Sequence, residues 1–169
     1  MINAVINPTI KAIQQIKPNW VVPQTVHAFC TTRVGGVSVH PYDSLNLGLN
    51  AGDDPALVLN NRSILSRTIP SEPLWLKQVH GITVSTPESR KLCGSGPFEA
   101  DASVSNIPNE VLAVLAADCM PVLFASHGGD VIGVAHAGWR GLSGGVLENT
   151  MQAMCTPVSY THLRAHETE

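Results

Sequence analysis

Apolar residues in this chain fall mostly into short runs separated by Gly, Pro, Ser and Asp, the pattern of strands rather than of long helices. Candidate strands are Val26–Thr32, Leu74–Val84 (folded about a turn at His80-Gly81), Ala100–Ser105, Val111–Ala116, Pro121–Ala125 and Val131–Ala135. Two stretches break the pattern. After Asp53-Asp54-Pro55, the residues Leu57, Val58, Ile64 and Leu65 recur at helical spacing as far as Arg67, with Pro70 beyond. An aspartate cap followed by proline in the first turn is a strong helix start. A second helix is predicted from about Leu142 to Met154, with Leu147, Met151 and Met154 on one face. Lys91 to Pro97 is rich in Gly and Ser and reads as a loop. The pattern predicts a mixed α/β, or α+β, fold and does not order its strands.

The run Val131–Val134 is continuously apolar, as in a strand buried on both faces. Its end carries Ala135-His136-Ala137-Gly138-Trp139-Arg140-Gly141. Two other runs end in Lys77-Gln78-Val79-His80-Gly81 and Ala117-Asp118-Cys119. Three strand ends would thus deliver His80, Cys119 and His136, a ligand set that suits zinc and leaves its fourth position open for catalysis. The same residues allow a second chemistry, with Cys119 as a thiolate nucleophile and His136 as its base. Asp118 would orient that base or bond backbone amides.

Further polar residues stand near these segments. Arg33 precedes Gly35-Gly36, a flexible turn that could bring backbone N–H groups to an anion, and its planar fork suits phosphate; the alternative is a surface ion pair beside an ordinary turn. Gly35-Gly36-Val37-Ser38 is neither a P-loop nor a GxGxxG fingerprint. Asn46 would bond a base or ribose, or cap a turn. Gln78 would hold substrate or orient His80, and Arg140 would contact substrate or pair with Trp139. His27, His40 and His127 lack such company and read as surface residues.

The chain has 169 residues, 44% of them hydrophobic and 14% charged, which suits one folded domain. A net charge of −3 gives no footprint for nucleic acid. No apolar run approaches the ~20 residues needed to span a bilayer. The N-terminus lacks the basic start and apolar stretch of a signal peptide, so the expected compartment is the cytoplasm. The four cysteines include no CxxC pair and are expected as thiols, with Cys30 buried in its strand. The oligomeric state is open.

Several stretches together carry a family resemblance. They are Thr31-Thr32-Arg33-Val34-Gly35-Gly36-Val37-Ser38, Pro41-Tyr42-Asp43-Ser44-Leu45-Asn46-Leu47-Gly48, Gly52-Asp53-Asp54-Pro55 with Asn61-Arg62, Trp75 through Gly81, Ala100-Asp101-Ala102, Ala117 through Val122, and Ala135 through Gly141. In this order and spacing the chain resembles the laccase-domain (polyphenol-oxidase-like, multicopper polyphenol oxidase) family, whose bacterial and animal members are described as purine nucleoside phosphorylases. The resemblance implies a layered α/β/β/α sandwich, cysteine-hydrolase-like. It strengthens the assignment of zinc to His80, Cys119 and His136. It also implies phosphorolysis of adenosine, inosine and guanosine, with methylthioadenosine a further candidate, and deamination of adenosine. The partners implied are small molecules, a purine nucleoside and phosphate. On this reading Cys119 serves catalysis through the metal, Asp118 transfers a proton and Arg33 holds phosphate.

Copper-dependent phenol oxidation is the rival activity. A multicopper laccase needs many more histidines than the seven here, and no His-x-His pair occurs. Copper at the zinc site is the more economical account. A metal-free cysteine amidase using Cys119 and His136 stays open, as does an inactive remnant. After Met154 the sequence no longer follows the family. The expectation is a domain over residues 1–155 that is incomplete at its C-terminus, followed by a foreign tail at 156–169. His162 and His166 in that tail lack the glutamate of an HExxH motif.

Overall fold

The structure is a computed structural model and describes residues 12–92, 96–155 and, as backbone, 163–166. Its described residues mix strands and helices, as the apolar pattern predicts, with four helices where two are expected. The described residues divide into two compact units, one lying within 12–17 and 29–69, the other within 18–28 and 70–166.

In the first unit two-residue strands, β1 (Gln15–Ile16) and β2 (Cys30–Thr31), pair antiparallel. Cys30 is exposed rather than buried, because β2 has a partner along one edge and is too short to be covered. Helix α1 (Pro55–Ser66) starts where the sequence places it: the Asp54 carboxylate accepts the Ala56 amide at 2.8 Å and Pro55 opens the first turn. Val58, Asn61 and Leu65 form its buried face. Asn61 ties the loops above that face together. It accepts from the Val37 amide and donates to Ser38 Oγ and the Asn46 carbonyl, each at 2.8 Å. Gly36 is needed there, since a Cβ would fall 2.2 Å from the Ser44 carbonyl and 2.5 Å from Asn61 Oδ1.

The second unit holds β3 (Leu76–Lys77), β4 (Val84–Ser85), α2 (Pro87–Lys91), β5 (Phe98–Glu99), β6 (Ala102–Ser105), β7 (Met120–Ser126), β8 (Ile132–Ala137), α3 (Trp139–Gly144), α4 (Val146–Cys155) and β9 (Leu163–His166). β3 and β5 pair parallel. The main sheet has the order β4-β6-β8-β7-β9, parallel between β4 and β6 and antiparallel elsewhere. β8 lies at its centre and is almost wholly buried, as its unbroken apolar run requires. Ala135 and Ala137 join Val104, Val122, Phe124, Val146 and Met154 in the core under α4. Gly133 shares that face, and a Cβ on it would lie 3.0 Å from Met154 Sδ. Alternation along the strand turns His136 to the other side.

Several expectations are corrected: the predicted strands Val26–Thr32 and Leu74–Val84 shorten to β2 and to β3 and β4. Val111–Ala116 is not a strand: it makes one isolated bridge, Leu112 to Leu74. A strand needs a backbone partner along its length, and here the Gln78 amide takes over, donating to the Leu115 carbonyl and accepting the Leu115 amide. The helix expected from Leu142 to Met154 is two helices, because Gly145 adopts φ +96° and closes α3 in a left-handed cap. Helix α2 was not expected; Thr86 and Ser89 form a reciprocal capping box around Pro87. Cys93, in the predicted loop, lies outside the described residues, as do His162 and the side chain of His166.

Candidate metal centre

Strand register places the site. In the β7–β8 ladder Met120 faces Ala137, so continuing one step sets Cys119 against Gly138. On the other side of β8, Ala102 faces Ala135, and the next step is closed by the His136 amide donating to the Asp101 carbonyl at 2.7 Å. His136 therefore sits in the central strand between Asp101 and the approach to Cys119. His80 comes from the turn after β3, where it takes φ +59°, an uncommon conformation for a non-glycine residue. The three ligands do not all sit at strand C-termini, as the apolar runs suggested. Cys119 precedes β7, and His136 lies within β8.

The potential ligand atoms of His80, Cys119 and His136 lie within 4.8 Å of one another. The two imidazoles meet edge to face, with centroids 4.8 Å apart at 75°. His136 is buried, Cys119 half-buried and His80 exposed. Gly138 leaves room for the cluster: a Cβ there would stand 3.0 Å from both Cys119 Sγ and His80 Cδ2. One thiol and two imidazoles converging on a space kept clear by glycine fit a divalent metal such as zinc. A tetrahedral ion holds such donors about 3.5 Å apart, so His80, the exposed member, would turn its ring inward to close the set. This is the one group of its kind among the described residues.

Asp101 is the residue that sequence reasoning missed. It lies in a matched stretch, Ala100-Asp101-Ala102, but is fully buried, and only register brings it to His136. Its Oδ1 meets His136 Nδ1 at 2.9 Å and accepts the His80 amide at 2.9 Å. Its Oδ2 accepts the amides of Val79 at 3.0 Å and Gly81 at 2.7 Å. Burial opposes ionisation of Asp101, yet the bonds from His136 and the three amides outweigh it and hold the carboxyl below the ordinary carboxylate range. Burial pushes the Cys119 thiol up, and the charge and hydrogen bonding of Asp118 and the charge of Asp101 push the same way. A thiol so held is a poor unaided nucleophile, which weighs against metal-free cysteine chemistry. A bound cation would reverse that balance.

The remaining candidates divide. Asp118 is exposed next to Cys119. Gln78 commits both ends of its amide to Leu115 and so clamps the segment that leads to His80. Arg140 stacks 4.9 Å from the ring centroid of exposed Trp139, immediately after Gly138. Arg33 and Asn46 belong to the first unit. Arg33 donates from Nε to the Asp43 carbonyl at 2.6 Å and from Nη2 to the Pro41 carbonyl at 3.3 Å, with the Asp43 carboxylate 3.7 Å away. Asn46 donates to Asp53 and accepts the Gly48 amide. The amides of Gly35 and Gly36 both reach Ser44 Oγ at 3.2 Å, so the turn is closed on its own loop.

Residues 27–166 match the family described as multi-copper polyphenol oxidoreductase laccase. The chain belongs to this family. Among its family relatives it is 51% identical over 141 residues to the Escherichia coli (strain K12) protein named purine nucleoside phosphorylase YfiH, covering 80% of this chain and 56% of that protein. A Haemophilus influenzae protein named purine nucleoside phosphorylase is 47% identical over 143 residues, 83% of this chain and 57% of its own. Among solved structures, a Neisseria meningitidis protein superposes with a TM-score of 0.76 at 42% identity, over 87% of this chain and 59% of that one. YlmD from Geobacillus stearothermophilus gives 0.71 at 31% identity, over 86% and 59%. The chain thus spans a little over half the length of the curated relatives it matches. No helix among the described residues is long and apolar enough to cross a membrane.

Proposed function

We propose that this chain carries the metal centre of a zinc-dependent purine nucleoside phosphorylase that also deaminates adenosine. The observation that carries the reading is the convergence of His80, Cys119 and His136 beside Gly138, in a chain whose relatives are named purine nucleoside phosphorylase. His80, Cys119 and His136 would hold the ion. When bound, zinc supplies Lewis acidity that activates water or a substrate oxygen near neutral pH.

In phosphorolysis a phosphate oxygen bonds to the ribose C1′ as the bond from C1′ to the purine breaks, and the departing base takes up a proton. Asp118 is our candidate for that proton transfer, supported by its exposure beside Cys119. Arg33 is our candidate for phosphate; its anchoring on the Asp43 and Pro41 carbonyls fixes the plane of the fork. Arg140 on Trp139 is the candidate for contact with the nucleoside. The internal hydrogen bonds of Asn46 and Gln78 favour supporting roles for both. The raised Cys119 thiol and the one ligand cluster among the described residues favour one metal over a metal-free cysteine or several coppers.

Elemental analysis of the purified chain, together with phosphate-dependent release of adenine from adenosine, tests the reading. About one zinc per chain is expected, with Cys119→Ser abolishing phosphorolysis and deamination together. No metal after mild purification, or activity indifferent to Cys119→Ser, would overturn it.

A further inference from the structure

Asp101 joins two of the three ligand carriers through a single carboxylate. One oxygen faces both His136 Nδ1 and the His80 amide; the other takes the amides of Val79 and Gly81. Three successive amides pointing at one carboxylate require the tight turn in which His80 has φ +59°. That backbone conformation is costly for histidine and persists where surrounding bonds over-determine it. An ionised carboxylate only accepts hydrogen bonds, so the ring nitrogen facing it must carry the proton. With Nδ1 protonated, His136 keeps its lone pair on Nε2.

We infer that Asp101 is a positioning residue for the metal centre: it fixes the His136 tautomer with Nε2 free for the ion and holds the 79–81 turn that presents His80. Both ligand carriers are thereby held at the site before metal arrives, and binding a divalent ion leaves only side-chain adjustment to be made. Asparagine cannot replace Asp101. Its single oxygen serves one side of the group, and its NH₂ then meets either the amides of Val79 and Gly81 or the amide of His80 together with His136. In the first case the turn is lost; in the second the His136 ring is driven to the wrong tautomer.

The inference rests on reading His80, Cys119 and His136 as a metal site, and the test keeps the two apart. Zinc affinity is measured by chelator competition on the full chain and on Asp101→Asn, and the His136 tautomer by ¹⁵N NMR of the metal-free wild type. Wild-type protein that binds zinc with His136 protonated on Nδ1, and an Asp101→Asn variant that binds it about ten- to a hundredfold more weakly, is the expected result. If the wild type binds no zinc, the metal-site reading itself fails. If the wild type binds zinc but its metal-free His136 carries the proton on Nε2, Asp101 does not set the tautomer. Unchanged affinity in Asp101→Asn also overturns the inference. Should that variant not fold, the tautomer of the wild type decides.

Discussion

Asn61 and Asp53 in the first unit, and His136 and Cys119 in the second, are all polar residues in or beside the interior, yet they are used differently. Asn61 is fully buried and directs its amide at Val37, Ser38 and Asn46. Asp53 takes Ser38 at 2.6 Å, Asn46 at 3.1 Å and the Asp54 amide at 2.8 Å. That unit has two-residue strands, and side-chain bonds stand in for the missing ladders. In the second unit a five-stranded sheet pairs its own strands, and Gln78 and Asp101 bond the backbone of the segments beside it. His136 gives one nitrogen to Asp101 while the other stays available. Where a sheet carries the fold, ligand-type side chains such as those of His136 and Cys119 can be left for chemistry; where loops carry it, Asn61 and Asp53 are consumed.

The largest expected effect is on the loop-carried unit. Asn61→Ala strips a donor from the Asn46 carbonyl and an acceptor from the Val37 amide, and should lower stability by about 2–3 kcal/mol in denaturant unfolding. Zinc content should stay near that of the parent. A loss of zinc with little loss of stability would erase the contrast. Gly138→Ala is the converse. Its Cβ would press 3.0 Å from Cys119 Sγ and His80 Cδ2, a contact those groups must yield to. Weakening of zinc about tenfold, equivalent to about 1.4 kcal/mol, is expected without a comparable fall in stability. Unchanged zinc affinity would show that glycine at 138 is not what keeps the space clear.

The smallest effect sharpens the comparison through pH. The hydrogen bond from Ser38 holds the Asp53 carboxyl below its ordinary value; burial opposes this, and Asn46 and the Asp54 amide add to it. A carboxyl depressed on folding contributes stability above its unfolded value, about 3.9. That contribution is lost as pH falls through the lower folded value. Asp53→Asn should therefore flatten the acid side of the stability profile below about pH 4. An acid limb identical to that of the parent would remove Asp53 from this role.

Much was open to reading in one dimension. Asp54 and Pro55 dictate the start of α1 because capping is local, depending on residues two apart. The run through Val134 dictates a buried strand because nothing in it tolerates water. His80, Cys119 and His136 stand out as ligand types at segment ends. Other features depended on partners far along the chain. Val111–Ala116 has strand composition but lacks a neighbouring backbone, and composition cannot supply one. Gly145 looks like any helix glycine until its left-handed φ divides α3 from α4. Asp101 is the clearest case: the sequence determined a carboxylate before an apolar strand, which fits many roles. Only the antiparallel register of β6 on β8 set it against His136, and only the fold of the 79–81 turn brought three amides to its oxygens. Hydrogen bonding is short-ranged and directional, so a residue's partner is decided by which strands lie side by side, and that is a property of the folded chain.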